Sequence, residues 1–428
     1  MDNVVDKRRA SRLSVVFLVF AFLAPASLGA HDFGVLLNQR FGLDGTGDNT
    51  NAEYEAALVP RLSILLGDFD DLFFSASIKT VYDNRGWTFV PELLRNEFTR
   101  SFGDTDFHLG RMTYGDPMNI VAAGLFDGVR LLRHTDMGTF GAGVWYTGLL
   151  YGGRAMISMN EYDAGQPAFD WDDFGGTYFA SRRLVIGLDW EHPSFAELLR
   201  VNAALIGQFD LNRGRSVPGG DGNRSGLYHS QYLVAAAAMP FRRFVFELGG
   251  AIEVSQTVTV AADNGNGENG SVFNIALAGD VGVRWMSPTP FHDMLSFTGR
   301  FTSGRADNDG AMSAFIPITA LPHGDVLRAE IPGLSVLSLN YTARLHQTFS
   351  AGLTLSCFVR SDLGTFAAWP VDVAGDDGHF LGTEIFARFV WSPVSDVNLN
   401  LGAGAFMPAL ENADTRLRVE LSVVLALY

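Results

Sequence analysis

From residue 31 onward, apolar and polar side chains alternate one by one over long stretches, and this period of two constrains the fold more than any other feature of the chain. From Leu337 to Phe349 the odd positions Leu337, Leu339, Tyr341, Ala343, Leu345 and Phe349 are mostly apolar, whereas Ser338, Asn340, Thr342, Arg344, His346 and Thr348 are polar. From Phe273 to Trp285 the apolar Phe273, Ile275, Leu277, Val281, Val283 and Trp285 oppose Asn274, Asp280 and Arg284. Leu199 to Leu211 repeats the pattern with Arg200, Asn202, Gln208 and Asp210 on the polar side. Successive side chains of a strand point to opposite faces, so each stretch is a strand with one apolar surface. A soluble sandwich alternates in the same way, so length has to choose the solvent. These strands run over about 11 to 16 residues, against about 5 to 6 in soluble sheets and about 9 to 11 for a tilted membrane-crossing strand. Beyond the N-terminal segment no apolar run reaches the length of a spanning helix.

Eighteen strands are predicted, beginning near Phe33, Glu53, Leu72, Phe89, Phe107, Leu125, Phe140, Tyr178, Leu198, Tyr228, Arg243, Phe273, Met294, Leu337, Leu353, Phe380, Val397 and Leu417. The spans Trp87 to Arg100 and Met112 to Ala122 are poorly patterned, which leaves 16 to 18 as the range. Connections after even strands are terse, such as Asp68 to Asp71, Gly103 to Thr105, Pro240 to Arg242 and Pro393 to Asp396. Those after several odd strands are long and polar: Asn160 to Gly176, Asn212 to Gly226, Ala261 to Ser271, Asp307 to Leu334 and Asp362 to Gly378. Short turns on one side and long loops on the other are the habit of an up-and-down antiparallel barrel in an outer membrane, with periplasmic turns and extracellular loops. In hydrocarbon an open sheet edge is not viable, so the last strand must pair with the first. Arg416 to Tyr428 suits that duty, with Leu417, Val419, Leu421, Val423, Leu425 and Leu427 on one face. Tyr428 falls in the register of Arg418 and Glu420, and a bulge near Val423-Val424 is expected to restore its phase.

Composition agrees with this reading. The 428 residues are 47% hydrophobic and 18% charged, with 47 glycines, 34 phenylalanines and a net charge of -16. Disorder requires fewer aromatics and more charge, Cys357 has no partner for a disulfide, and the acidity argues against a nucleic-acid partner. Residues 1-30 read as a secretory signal: Lys7, Arg8, Arg9 and Arg12 precede an apolar run from Leu13 to about Ala24, then small residues to Ala30. The mature chain, 31-428, is expected to be one barrel domain. No residue spacing suggests a metal or cofactor; the glycine-rich Asp263 to Gly270 is read as a loop rather than a calcium site.

If the apolar faces meet lipid, the polar faces line the lumen, and an arginine recurs there on many strands. The candidates for pore lining and solute binding are Arg183, Arg200, Arg284, Arg300, Arg344, Arg360, Arg388 and Arg418. Two readings stand. These arginines form a ladder of planar, permanently charged donors that passes anionic or polyhydroxylated solutes, or they pair with Asp189, Asp210, Glu247, Glu253, Asp280, Glu384 and Glu420 in a network that holds the barrel's shape.

The stretch His108-Leu109-Gly110-Arg111-Met112, followed by Gly115-Asp116-Pro117 and then Gly124-Leu125-Phe126-Asp127-Gly128-Val129-Arg130-Leu131, resembles the strand pair of alginate-export and OprD-like specific porins. The intervening loop lacks the tryptophan and arginine cluster of that group, so the resemblance implies an eighteen-strand porin rather than an alginate substrate. Asp32-Phe33-Gly34-Val35-Leu36-Leu37-Asn38-Gln39 is similar to spirochaete outer-membrane proteins. The expected function is an outer-membrane porin or specific channel for small hydrophilic solutes, anionic ones included, in a monomer or trimer. Expected partners are outer-membrane lipid, the barrel assembly machinery through the strand ending at Tyr428, and the solutes. The alternatives are a fatty-acid-type transporter of hydrophobic solutes and a surface adhesin anchored by the barrel. An enzyme is not expected, because the nine histidines form no catalytic motif. The loop Asp307 to Leu334, with its apolar Ala314-Phe315-Ile316-Pro317-Ile318, is expected either to fold inward and constrict the pore or to cap its mouth.

Overall fold

The computed structural model describes residues 31-47, 49-67, 69-83, 86-212, 226-259, 270-304, 313-362, 378-409 and 413-427. The predicted signal (1-30), Tyr428 and parts of four of the long loops, the glycine-rich segment up to residue 269 among them, lie outside them. Eighteen antiparallel strands form one closed sheet: β1 (His31–Thr46), β2 (Asn49–Leu65), β3 (Asp70–Asp83), β4 (Gly86–Phe102), β5 (Thr105–Gly115), β6 (Ala123–Thr135), β7 (Gly138–Tyr146), β8 (Arg183–Phe195), β9 (Leu199–Asp210), β10 (Leu227–Phe241), β11 (Phe244–Thr259), β12 (Gly270–Met286), β13 (Met294–Thr302), β14 (Leu334–His346), β15 (Phe349–Arg360), β16 (Phe380–Val394), β17 (Val397–Pro408) and β18 (Arg416–Leu427). Each strand pairs with its sequence neighbours, and β1 closes the ring on β18 from Val35↔Leu427 to Thr46↔Arg416. That closure runs without a register shift, so the bulge expected near Val423-Val424 is absent and Leu427 stays in the exposed phase of Leu417, Val419 and Leu421.

The apolar face of every hairpin points outward. Leu248, Leu188, Leu233 and Leu205 are each more than half exposed, which water would penalise and hydrocarbon rewards. Tyr54, Tyr82 and Trp87 pack together near the long-loop end of β2, β3 and β4, where an interfacial aromatic girdle belongs. β8 begins at Arg183 rather than near Tyr178, because the segment before it folds into three single-turn helices, α1 (Gly152–Ala155), α2 (Glu161–Ala164) and α3 (Phe174–Thr177).

The broken pattern in β4 has a cause. Ser75 pairs with Arg95 and Ala76 with Leu93, so Leu94 is an extra residue that reverses the phase: Val90 and Glu92 are buried before it, Glu97 after it. Above this bulge β4 parts from β5. The β4–β5 ladder runs only from Asn96↔Arg111 to Phe102↔Thr105, leaving the Gly86–Arg95 half of β4 paired on one side. Side chains seal the seam instead. Trp171 Nε1 donates to the Phe89 carbonyl (2.8 Å), Tyr178 Oη to that of Pro91 (2.8 Å) and Arg111 Nη1 to that of Leu93 (2.5 Å). Pro91, which has no N–H to satisfy, suits an unpaired edge. Tyr151, Phe169, Trp171, Phe174 and Tyr178 stack behind the seam with ring centroids 4.6–6.2 Å apart.

Two segments fold into the barrel. Residues 116-122, the short link between β5 and β6, wrap around Asp116, whose carboxylate accepts from the backbone N–H groups of Met118, Ile120, Val121 and Ala122. Burial pushes the Asp116 carboxyl up, while these four donors pull it back. Residues 313-333, between β13 and β14, lie against this link: the N–H groups of Ile318 and Thr319 donate to the Val121 carbonyl, and Ala123 N–H donates to Thr319 Oγ1. Phe315 and Ile318 are fully buried on Tyr114, Phe126, Trp145, Ile206 and Tyr232. Of the two expectations for the long loop, the inward fold is the one observed.

Candidate functional site: the lumen and its arginines

The inward loop is held by carboxylates of the wall. Glu253 Oε2 on β11 accepts from Ile316 N–H (2.8 Å) while its other oxygen takes the Tyr228 phenol at 2.5 Å. Glu384 on β16 accepts from the N–H groups of Asp325, Val326 and Leu327 at 2.7, 3.0 and 2.8 Å. Val326, Leu327, Ala329 and Leu334 then pack on Phe358, Phe386 and Phe406. His323 and Ala329 exchange backbone hydrogen bonds at 2.7 and 2.8 Å, making a small hairpin within the loop.

This partition divides the lumen. On the short-turn side lies a chamber of about 530 Å³ lined by Arg200, Asn202, Glu247, Asp280, Thr298, Arg300 and Ser338, roofed by Met118 and His323. On the long-loop side is a vestibule with two lobes: one of about 530 Å³ bordered by Asp83, Thr88, Tyr151 and Phe169, the other of about 430 Å³ bordered by Asp44, Arg416 and Arg418. Pro322, Arg328 and Glu330 line both lobes.

The eight predicted arginines fall into three groups. Arg183 and Arg360 are buried: Arg183 Nη2 lies 2.5 Å from Asp163 and 3.5 Å from Asp210, tying the 147-182 loop to the wall, and Arg360 Nε donates to the Gly378 carbonyl at 2.6 Å. Arg200 pairs with Glu191 (2.6 Å), Arg284 with Glu247, and Arg300 Nε with Asp280 (2.7 Å), all on the chamber side, and near them Arg344 donates to the Gln347 carbonyl at 2.9 Å. Arg388 pairs with Asp325 of the inward loop (2.8 Å), and Arg418 with Asp44 (2.6 and 2.9 Å). Asp210, Glu247, Asp280 and Glu420 thus serve the ion-pair network expected of them, and Asp189 pairs with Arg130 (2.9 Å) instead. Glu253 and Glu384 hold the loop's backbone.

Arg300 also reaches His323, its Nη1 3.1 Å from Nε2. The imidazole is therefore the neutral form with Nδ1–H donating to the Leu321 carbonyl at 2.9 Å; burial and the adjacent Arg300 push its pKa down to about 4. Sequence reasoning missed Arg328, Glu330 and Arg416. Arg416 carried a signal, since it shares the parity of Arg418 and Glu420. Arg328 and Glu330 sit in an irregular segment where no period applies. Arg328 has φ +53°, an uncommon conformation for a side chain of its size, of the kind that costs about 1–3 kcal/mol and gathers at functional positions.

No protein-family model matches the sequence, and no curated protein does. Solved structures match its fold. OpdL of Pseudomonas aeruginosa superposes with a TM-score of 0.57 at 13% identity, over 94% of this chain and 100% of that one. OccK2 (OpdF) of the same bacterium, solved in complex with glucuronate, gives 0.56 at 10% identity over 94% and 99%. The P. aeruginosa outer membrane protein OprD gives 0.53 at 11% identity over 93% and 94%. The chain is a closed eighteen-strand antiparallel β-barrel of the outer-membrane type, similar in fold to these outer-membrane proteins.

Proposed function

We propose that this chain is an outer-membrane channel, exported by its N-terminal signal, that passes small hydrophilic solutes by passive diffusion and favours anionic ones. The observation that carries the reading is the partition of a polar lumen into a vestibule and a chamber by a loop fixed inside the barrel. A surface anchor has no need of such a constriction, so we infer a transport role. The neighbours' fold supports it, and one of them was solved with glucuronate, a sugar acid. Outer-membrane lipid contacts the apolar exterior, and the closing strand β18 is the element expected to engage the assembly machinery. Six of the eight arginines act here through ion pairs, and Arg344 and Arg360 through bonds to backbone carbonyls, as braces of the lumen wall. Planar-bilayer recordings test the reading: discrete single-channel steps with anion-favouring reversal potentials support it, and cation preference would remove the anionic part. The seam between β4 and β5 favours a second reading, in which an apolar solute leaves sideways past Trp171 and Tyr178 into the outer leaflet. Conductance unaffected by Trp171→Ala, together with uptake of a fatty acid lost in that variant, would favour it.

A further inference from the structure

The outer face of the barrel is uneven over β6 to β9, near their short-turn ends, where a groove of about 550 Å³ opens towards lipid. Two rows of outward side chains shape it. In the row nearer the periplasm the register aligns Arg133, Phe140, Trp190 and Ala203, and two residues further along each strand it aligns Leu131, Ala142, Leu188 and Leu205. An alanine interrupts each row, so Ala203 and Ala142 leave hollows among larger neighbours that stand out from the wall. Trp190 does not fold over the hollow, because its Nε1 donates to the Met137 carbonyl at 2.9 Å.

The periplasmic rim of this groove carries one charge of each sign. Arg133 lines the groove with its side chain 56% exposed; its Nη1 donates to Thr105 Oγ1 at 2.9 Å and its Nη2 lies 3.6 Å from Asp104 Oδ2. Asp104, in the turn between β4 and β5, is 71% exposed. A long, exposed ion pair of this kind contributes little stability, so both groups can turn to other charges at small cost. The next turn adds the exposed Asp136, so the rim carries no net positive charge and does not suit a ligand that is anionic overall. A zwitterion whose anion and cation lie a few ångströms apart matches it. A guanidinium fork suits a phosphate, and a primary ammonium has three N–H groups to donate to a carboxylate.

We propose that this face binds one molecule of phosphatidylethanolamine from the periplasmic leaflet, with an acyl chain in the groove over Ala142 and Ala203, the phosphate on Arg133 and the ammonium on Asp104. The site lies outside the lumen and does not depend on conduction.

Native mass spectrometry of the full barrel in detergent tests it, with dioleoyl phosphatidylethanolamine, phosphatidylcholine and phosphatidylglycerol titrated separately. The samples are the parent, Arg133→Gln, Asp104→Asn, Ala203→Phe, Ala142→Phe and, on the lipid face of β16 across the barrel, Ala387→Phe. Each is first shown to be folded by its heat-modifiable band, and two groove-filling variants are used so that the loss of one to misfolding leaves the other. The parent should bind a single phosphatidylethanolamine more tightly than the other two lipids. Arg133→Gln and the groove-filling variants should bind it about tenfold more weakly. Asp104→Asn should still bind phospholipid but lose the preference over phosphatidylcholine, whose quaternary ammonium has no N–H to donate. Ala387→Phe should match the parent. Equal binding of the three lipids by the parent, or parent-like binding by Arg133→Gln and the folded groove-filling variants, overturns the site. A parent dimer that Ala203→Phe dissociates would assign the groove to a second copy of the chain and overturn it too.

Discussion

Arg111 and Asp127 face each other across β5 and β6, with Arg111 Nε and Nη2 each 2.8 Å from a different carboxylate oxygen of Asp127. The same guanidinium donates to the Leu93 carbonyl beside the β4 bulge and to that of Leu149 (2.9 Å), so one buried side chain joins β4, β6 and the loop after β7. The glycines next to the pair make the approach possible. A Cβ on Gly110, which has φ +113°, would fall 2.1 Å from the Asn96 carbonyl oxygen, and one on Gly128 would fall 2.0 Å from that of Val144.

Removing Arg111 leaves Asp127 and two carbonyls without their donor. Arg111→Ala is expected to destabilise the barrel by about 3–5 kcal/mol, and Arg111→Lys to restore little, since a point charge cannot make the fork. The urea midpoint of the folded, heat-modifiable band on gels measures this; a midpoint within error of the parent would contradict it.

The seam predicts a local effect. Burial pushes the Tyr178 phenol up to about 12, so it stays a donor to Pro91 at any physiological pH. Tyr178→Phe and Trp171→Ala should each cost about 0.5–1.5 kcal/mol, the net value of one hydrogen bond, and Trp171→Ala more through lost stacking. Hydrogen exchange should quicken in Gly86–Arg95 and leave the fully paired β11 unchanged; uniform change around the barrel would argue against a sealed edge.

Loop docking should depend on pH through His323. Its folded pKa of about 4 lies below the ordinary 6.5, so the free loop binds more protons than the docked one between those values. Docking is therefore strongest above about pH 6.5, weakens as pH falls towards 4 by about 3 kcal/mol in all, and levels off below. The groups facing the ring are Arg300 and Asp280, with the Leu321 carbonyl on Nδ1. Open-channel noise should rise from pH 7 to pH 5 in the parent, and His323→Gln should flatten that rise. An unchanged slope in His323→Gln would assign the pH response to another group.

Glu384 is the loop's strongest tether. Glu384→Ala deletes the acceptor for three backbone N–H groups, each charge-assisted bond worth about 1.5–3 kcal/mol, yet touches no ladder hydrogen bond. The barrel should stay folded while residues 322-330 become sensitive to added protease; protection equal to the parent would show that the apolar contacts with Phe358, Phe386 and Phe406 suffice.

What was legible in the sequence follows from which physics is periodic. The ladder and the lipid face repeat every two residues, so the strands at Phe273 to Trp285, at Leu337 and at Leu417 could be placed within a few residues of where they lie. The pattern failed where the period itself breaks, at Leu94, which resets the phase of β4, and at Asp116, where the chain leaves the sheet to fold inward. The arginine positions on strands were readable by parity, but their ion pairs depend on cross-strand register, which a single chain of letters does not carry. Arg328 could not be singled out, because its place in the vestibule depends on a hairpin between His323 and Ala329 and on a clamp from Glu384, sixty residues away or nearly so.

If residues 313-331 form a fixed constriction in a conducting barrel, shortening them widens the conduction path. Single-channel recording in planar bilayers, comparing the parent with a chain in which these residues are replaced by a short glycine-serine linker, tests it most directly. Small, discrete steps are expected in the parent and several-fold larger ones in the shortened chain, with the barrel still folded. Equal conductance in the two folded proteins, or none in either, would contradict it.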